Sequence, residues 1–307
     1  MDGIVGAESP APPARFLDPL RELGDLKRVR SARRDGSIAE RLFVQAWGRL
    51  IGGAPVDGVW RATTAAALAA TRMGDIDAAA MAAVGLSPTA AHDVLARALD
   101  EAVAEFDPAL RAVLRPGLDA PPAPDVTAPS FVTRLAGQPR AGVTCPGKPR
   151  LLLEPPENHA EHCLMVAVYG VLLAPTYGAE PGVVFLASLA HHLHNALIPD
   201  SGFAGEVLLG EHLEPAFARA TDLALGELPD ALADRVRAAR RILPDAGTPE
   251  GRAFHAADTL DRVLQIEQHL RAGRATMRTV LHDMALVHEG PVKPFQDRLL
   301  AAMGLAA

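Results

Sequence analysis

The chain has little from which a disulfide scaffold, a membrane span or a nucleic-acid surface could be built. Only two of its 307 residues are cysteine, Cys145 and Cys163. That rules out a disulfide framework, lacks the spacing of a zinc ribbon or CxxC pair, and fits a reducing compartment. Aromatic residues make up 4% of the chain and alternating β-branched runs are scarce, which favours helix almost everywhere. The longest apolar run, Leu164 to Ala174, is too short to cross a bilayer. The opening MDGIVGAESPAPPARF has neither the basic nor the apolar region of a signal peptide, so a cytoplasmic protein without a membrane partner is expected. Lys and Arg total 30 against 37 Asp and Glu, a formal charge of −7. A nucleic-acid partner is not expected, because counterion release needs a net basic surface. The one basic run, Lys27, Arg28, Arg30, Arg33 and Arg34, is flanked by Asp25 and Asp35 and reads as a solvated face. Walker A, GxGxxG, HExxH and GxSxG patterns are all missing from the sequence.

What remains is a globular composition, 49% hydrophobic and 22% charged, of a length for one large or two medium domains. Ser37 and Glu40 stand at capping-box spacing ahead of Ile38, Leu42, Phe43, Ala46, Leu50 and Ile51, an amphipathic helix. An Ala-rich stretch from Leu68 to Val84 and a helix opened by Ser87-Pro88 follow. Ten of the 26 prolines then fall between Pro116 and Pro156, which reads as a linker or surface strap. Further helices are predicted over 157–176, 181–195, 206–226, 229–242, 249–272 and 276–288. The expected fold is all-α, with an N-terminal helical region of unknown role (1–115), the proline-rich strap (116–156) and a second helical domain (157–307).

Histidine is unevenly placed. Of 11, only His92 precedes the strap, and ten lie from His159 onward. His159 and His162 open a helix apolar on nearly all sides. His191, His192, His194 and Asn195 end another such helix, where buried polar groups need partners and a metal would satisfy several together. His255, Asp258 and Asp261 share one side of a later helix. Each piece also has a plain reading: His162 as a satisfied core residue, the two aspartates as a solvated stripe.

Taken in order, Glu161-His162, then residues 191–192, then Asp258 in AADTLDRVLQ, the sequence resembles the HD-domain superfamily of helical metal-dependent phosphohydrolases over about 157–272. The resemblance implies an HD-domain-like helical bundle in which His162, His191, His192 and Asp258 hold one divalent transition metal, Mn, Fe, Co or Zn. Such an ion would polarise a phosphoryl oxygen and lower the pKa of its water. Glu206 or His194 would manage the proton, and Asn195 would orient the ester. The expected partner is a small phosphate ester, nucleotide-like, and a homo-oligomer is compatible with the sequence. The sequence departs from the family where His191-His192 stands in place of His-Asp, since histidine is a poor bridge between two ions. Two further readings follow from that departure. One is a degenerate site serving as a scaffold, sensor or partner-binding module. The other is an HD-type diiron oxygenase, with His212 and Glu206 as added ligands. A literal His282-Asp283 pair is assigned instead to an amphipathic C-terminal helix, behind Arg271, Arg274 and Arg278, which read as a solvated basic face. Residues 1–115 are expected to pack on the second half and shape its pocket.

Overall fold

A computed structural model of the chain describes residues 10–32, 34–124, 126–270 and 276–306. It is all-α, and among the described residues there is no strand, only three isolated bridges. The first part holds α1 (Leu17–Asp25), α2 (Ile38–Ile51), α3 (Val56–Met73), α4 (Ala78–Ala83), α5 (Pro88–Ala102) and α6 (Pro108–Leu114). A short helix, α7 (Ser130–Gly137), interrupts the proline-rich strap. Then come α8 (His159–Tyr177), α9 (Pro181–Leu189), α10 (Gly202–Leu209), α11 (Leu213–Leu225), α12 (Asp230–Ala239), α13 (Pro249–Leu270) and α14 (Lys293–Ala302).

Helix α8 is the axis of the molecule. It packs on α9 and α13 on one side and on α2 and α3 on the other. All its residues except Pro175 and Thr176 are buried, as its unbroken apolar surface requires. By length and composition α8 could cross a membrane, but its most apolar 18-residue window is 89% buried inside the fold. Gly170 permits the close α8–α9 approach: a Cβ there would lie 2.5 Å from Val184 Cγ1. One continuous hydrophobic core runs from Phe16 to Leu305, so α1–α3 share it with the later helices.

Caps appear where the sequence puts them, with one change of partner. Ser37 Oγ accepts from Glu40 N at 3.1 Å and Ser87 caps α5 ahead of Pro88. The Ser37–Glu40 box is only half closed, because the Glu40 carboxylate instead accepts from Asn158 Nδ2 at 2.8 Å. Asn158 is itself the cap of α8, so the start of α2 and the start of α8 are tied together.

The structure corrects several predicted elements. The helix expected over 181–195 stops at Leu189, and a 3-10 turn covers Leu193–Ala196. The His191 ring donates from Nδ1 to Ser188 O at 2.6 Å, taking the carbonyl that a continuing helix would offer to the His192 amide. The helix expected over 206–226 divides at Gly210, whose φ of 52° no right-handed helix tolerates. Over 276–288 no full α-helix forms: residues 277–278 are helical and pass into a π-helical turn at Thr279–Asp283, followed by Ala285 at φ 47°. His282 and Asp283 are exposed on that turn. Arg278 is exposed as well, while Arg271 and Arg274 lie outside the described residues. The basic run is not uniformly a solvated face either. Lys27 is 4% exposed and Arg34 pairs with Asp75 and Asp77; Arg33 lies outside the described residues.

Helix α1 is fastened to both central helices. Tyr169 Oη on α8 donates to Leu20 O at 2.5 Å, and Arg21 makes a two-pronged bond to Glu267 on α13, at 2.9 and 2.7 Å. A Tyr169→Phe variant should therefore lose about 1 kcal/mol of unfolding free energy, read as a lower urea midpoint with unchanged far-UV circular dichroism. An unchanged midpoint would show that the bond adds nothing.

Candidate metal centre

Three segments bring the polar cluster together. Asn158 and Glu161 close a reciprocal capping box, each backbone N–H donating to the other's side chain at 2.9 Å. Glu161 is thereby consumed in starting α8, and the first turn aims His159 and His162 inward. The broken end of α9 presents His191 and His192. Helix α13 supplies Asp258 and Asp261, three residues apart and on one face. Neither is part of a solvated stripe: Asp261 is 1% exposed, and the side chain of Asp258 15%.

His162 Nε2 lies 3.1 Å from His191 Nε2 and 3.3 Å from Asp258 Oδ1, with His191 Nε2 3.9 Å from the same oxygen. The opposite ring nitrogens fix the tautomers. His162 Nδ1 faces Asp261 Oδ2 at 2.8 Å and His191 Nδ1 faces the Ser188 carbonyl, both pure acceptors. Each Nε2 therefore turns a lone pair toward the other and toward a carboxylate. Such a convergence needs a positive centre. A single proton bonds only part of it, whereas donors sharing one ion normally sit roughly 3–3.5 Å apart. His192 joins this group, with donor atoms of His162, His191 and His192 all within 4.8 Å. Its Nδ1 donates to Asn195 Oδ1 at 2.8 Å, leaving Nε2 as the donor. His159 stands beside it, rings 4.8 Å apart, fully buried, with neither ring nitrogen hydrogen-bonded and Nε2 3.6 Å from Asp200. The donor set and this orphaned imidazole fit a transition metal.

The electrostatics favour the donor forms. Burial holds His191 and His192 neutral well below the usual imidazole range, with neighbouring imidazoles adding to it. His159 is depressed likewise, by burial and then by Arg140. Burial pushes Asp258 up, but positive charge beside it, a proton shared with His162 Nε2 and then Arg262, outweighs burial and holds the carboxyl well below its ordinary value. Arg262 Nη1 lies 3.5 Å from Asp258 Oδ2, which leaves Oδ1 for the cluster. Behind the cluster Asp261 is held ionised by Lys27 and His162 against the effect of burial. Lys27 Nζ sits 2.5 Å from Asp261 Oδ1 and 2.5 Å from Glu157 Oε1, and the two carboxylates keep the buried ammonium charged.

In front of the cluster opens a cavity of about 510 Å³, a size suited to a small organic ligand. His191, His192, Asn195, Asp258 and Glu206 line it together with Arg140 and Arg262. Arg140 Nη1 is buried without a hydrogen-bond partner. Burial, then Asp200, pushes the Glu206 carboxyl up. Asn195 spends Oδ1 on His192 and Nδ2 on Ile198 O, the latter at 3.2 Å. Phe203 and His288 stack 3.9 Å apart on the cavity wall. Other predicted residues are not brought in. His194 turns away to stack on Phe217 at 4.0 Å. His255 is buried with Nε2 unpartnered and lines no part of this cavity. His212 is exposed on the 3-10 turn after α10.

The family described as HD domain matches residues 132–295, more than half of the chain. This protein belongs to the HD-domain family. No curated protein and no solved structure matches it. The HD-domain match begins within the strap rather than at 157, and takes in Arg140, Glu157 and all the residues of the histidine cluster. It leaves out Lys27.

Sequence reasoning missed Lys27, Glu157, Arg140, Arg262 and Asp200. Lys27 carried one legible signal, a lysine one residue beyond an apolar Leu23–Leu26 pair, but its neighbours Arg28 and Arg30 pointed to solvent. Arg262 stands four residues after Asp258, a helical pairing distance. Nothing in the strap marked Arg140, and nothing at the start of the predicted 157–176 helix marked Glu157.

His194 and His288 are pushed down to about 4, mainly by burial. An unfolded histidine titrates near 6.5, so as pH falls from there toward 4 the unfolded chain binds protons that the folded one refuses. The stability these groups contribute above pH ~6.5 should be lost over that window. Urea midpoints should fall between pH 7 and 4.5, with a shallower slope for His194→Phe, which keeps the stack on Phe217. A variant slope identical to the parent's would sink this assignment.

Proposed function

We propose that this HD-domain protein is a metal-dependent hydrolase of a small phosphate ester, nucleotide-like in size, with His191-His192 standing where the family has His-Asp. The observation that carries the reading is the convergence of His162 Nε2, His191 Nε2 and Asp258 Oδ1 at a cavity that His191 and Asp258 line and that also holds an arginine with an unpartnered Nη1. His162, His191, His192 and Asp258 would hold one divalent transition ion. When bound, such an ion supplies a Lewis acid for a phosphoryl oxygen and a water of lowered pKa.

The chain's own residues do the rest. Arg140 offers the phosphate a planar set of donors, and a guanidinium suits phosphate oxygens better than an ammonium does. Glu206, on the same wall and raised by burial, is placed to take and return a proton, since a carboxyl tuned upward works nearer neutral pH. Asn195 acts on His192 rather than on the ester: it fixes the ring that presents Nε2. His194, turned to Phe217, leaves proton handling to Glu206. The Phe203–His288 stack gives the cavity a flat aromatic wall, which suits a planar leaving group. His212, exposed on its turn, lines no part of this cavity and so adds no support to the oxygenase alternative.

Protein purified without chelator should carry, or take up, about one equivalent of Mn, Fe, Co or Zn. His191→Ala should lose it. In a screen of phosphomonoesters the loaded protein should release phosphate, and Arg140→Ala should raise KM by about 10- to 100-fold with kcat less affected. Parent protein that takes up no ion, or an His191→Ala variant that keeps it, would overturn the reading.

A further inference from the structure

Lys27 belongs to none of the residues just assigned. It lies in the turn after α1, in the N-terminal part that the family match does not reach. It does not line the front cavity. It lines a second cavity of about 320 Å³ behind the centre, with Arg21, Tyr169 and Asp261. A molecule in the front cavity meets Glu157 and Asp258 there, and Lys27 is not part of that wall.

Glu157, His162 and Asp261 form a second, wholly buried group of donors, within 4.8 Å of one another. Lys27 Nζ already bonds two of the three, at 2.5 Å each. Asp261 in turn holds His162 Nδ1 at 2.8 Å. The path from Lys27 to the first predicted ligand thus has two hydrogen bonds, with no solvent-exposed member. Helix α1 is anchored at one point to α8, through Tyr169, and at another to α13, through Glu267. Those two helices carry His162 and the two aspartates.

We infer that Lys27 is a positioning residue for the metal centre: its ammonium fixes Asp261, and Asp261 fixes the ring of His162. The N-terminal helical region thereby supplies a part of the centre that the family-matched segment lacks. This rests on the reading of the cluster as a metal site. A histidine ligand is oriented by the partner of its other nitrogen, and loss of such outer partners typically costs 10- to 100-fold in metal affinity. Here the outer carboxylate itself needs a partner, since an unpaired buried charge does not stay in place.

The test uses the full chain, with Co2+ as probe, in Lys27→Met and in Lys27→Met/Glu157→Gln. The double variant removes one of the two stranded carboxylates and so guards against simple failure to fold. Leu99→Ala on α5, which truncates the core away from the centre, is the control for lost stability alone. Affinity is read by calorimetry, the ligand field by the visible Co2+ spectrum, and folding by circular dichroism. The folded double variant should bind Co2+ about 10- to 100-fold more weakly, with an altered visible band, while Leu99→Ala keeps the parent affinity and spectrum. A folded double variant within twofold of the parent and with the parent spectrum would overturn the role of Lys27 and leave the metal site standing. Loss of affinity in Leu99→Ala equal to that of the double variant would also overturn it. A parent chain that binds no Co2+ would overturn both this role and the metal site.

Discussion

His162 is buried between two carboxylates, and much of the molecule follows from that placement. Asp261 takes one ring nitrogen and Asp258 faces the other. Two ionised carboxyls in the interior would repel each other and lose their hydration unless cations or donors replace the water. Arg262 approaches Asp258 from the next turn of α13, and Lys27 reaches Asp261 from the turn after α1. The second of these partners is 234 residues away along the chain. The early helices must therefore dock on α8 and α13 for the charge on Asp261 to be balanced. The continuous core from Phe16 to Leu305 is the apolar counterpart of that requirement. Packing brings α1 to α8, and the Tyr169 and Arg21 bonds set its register so that Lys27 arrives beside Asp261.

The all-α fold, the central buried helix and the family were legible in the sequence because they rest on short-range patterns. A helix apolar on every face has only one place to go in a globular protein, and α8 begins within two residues of where the pattern predicts. Capping chemistry is equally local, as Ser37, Ser87 and Asn158 show. The cluster of His162, His191, His192 and Asp258 was legible through order along the chain, once the family resemblance gave that order meaning. The elements that went wrong fail for identifiable reasons. The 181–195 helix ends early because a side chain competes for a backbone carbonyl, which propensity does not register. The 276–288 helix is lost where Ala285 adopts a positive φ, and nothing about an alanine announces that.

The residues that stayed hidden are those whose role depends on a partner far off in sequence. Lys27 among arginines looks like surface, and only the docking of α1 makes it interior. Arg140 sits in the strap and Glu157 one residue beyond it, where prolines suppress the periodicity that separates a buried position from an exposed one. The charged residues that face the cavity, Arg140 and Glu157 among them, resemble the solvated residues of any loop.

The break in α9 also bears on why histidine stands at 192. A continuing helix would turn residues 191 and 192 by 100° from each other about its axis, sending one of them away from α8. In the observed turn both rings face His162, with centroids 5.0 and 5.2 Å from it. The Ser188 carbonyl holds one ring and Asn195 the other. Asn195 suits this task because its amide oxygen accepts from His192 while its nitrogen donates to Ile198 O, just beyond the 3-10 turn. An aspartate at 195 would accept from His192 equally well but could not make that second bond, and it would add a further carboxylate to a cavity that Glu157, Asp200, Glu206 and Asp258 already line. A neutral amide next to a neutral imidazole avoids that charge. The pair at 192 and 195 is then one unit: a histidine that brings no charge to the cluster, and a neutral partner that orients it.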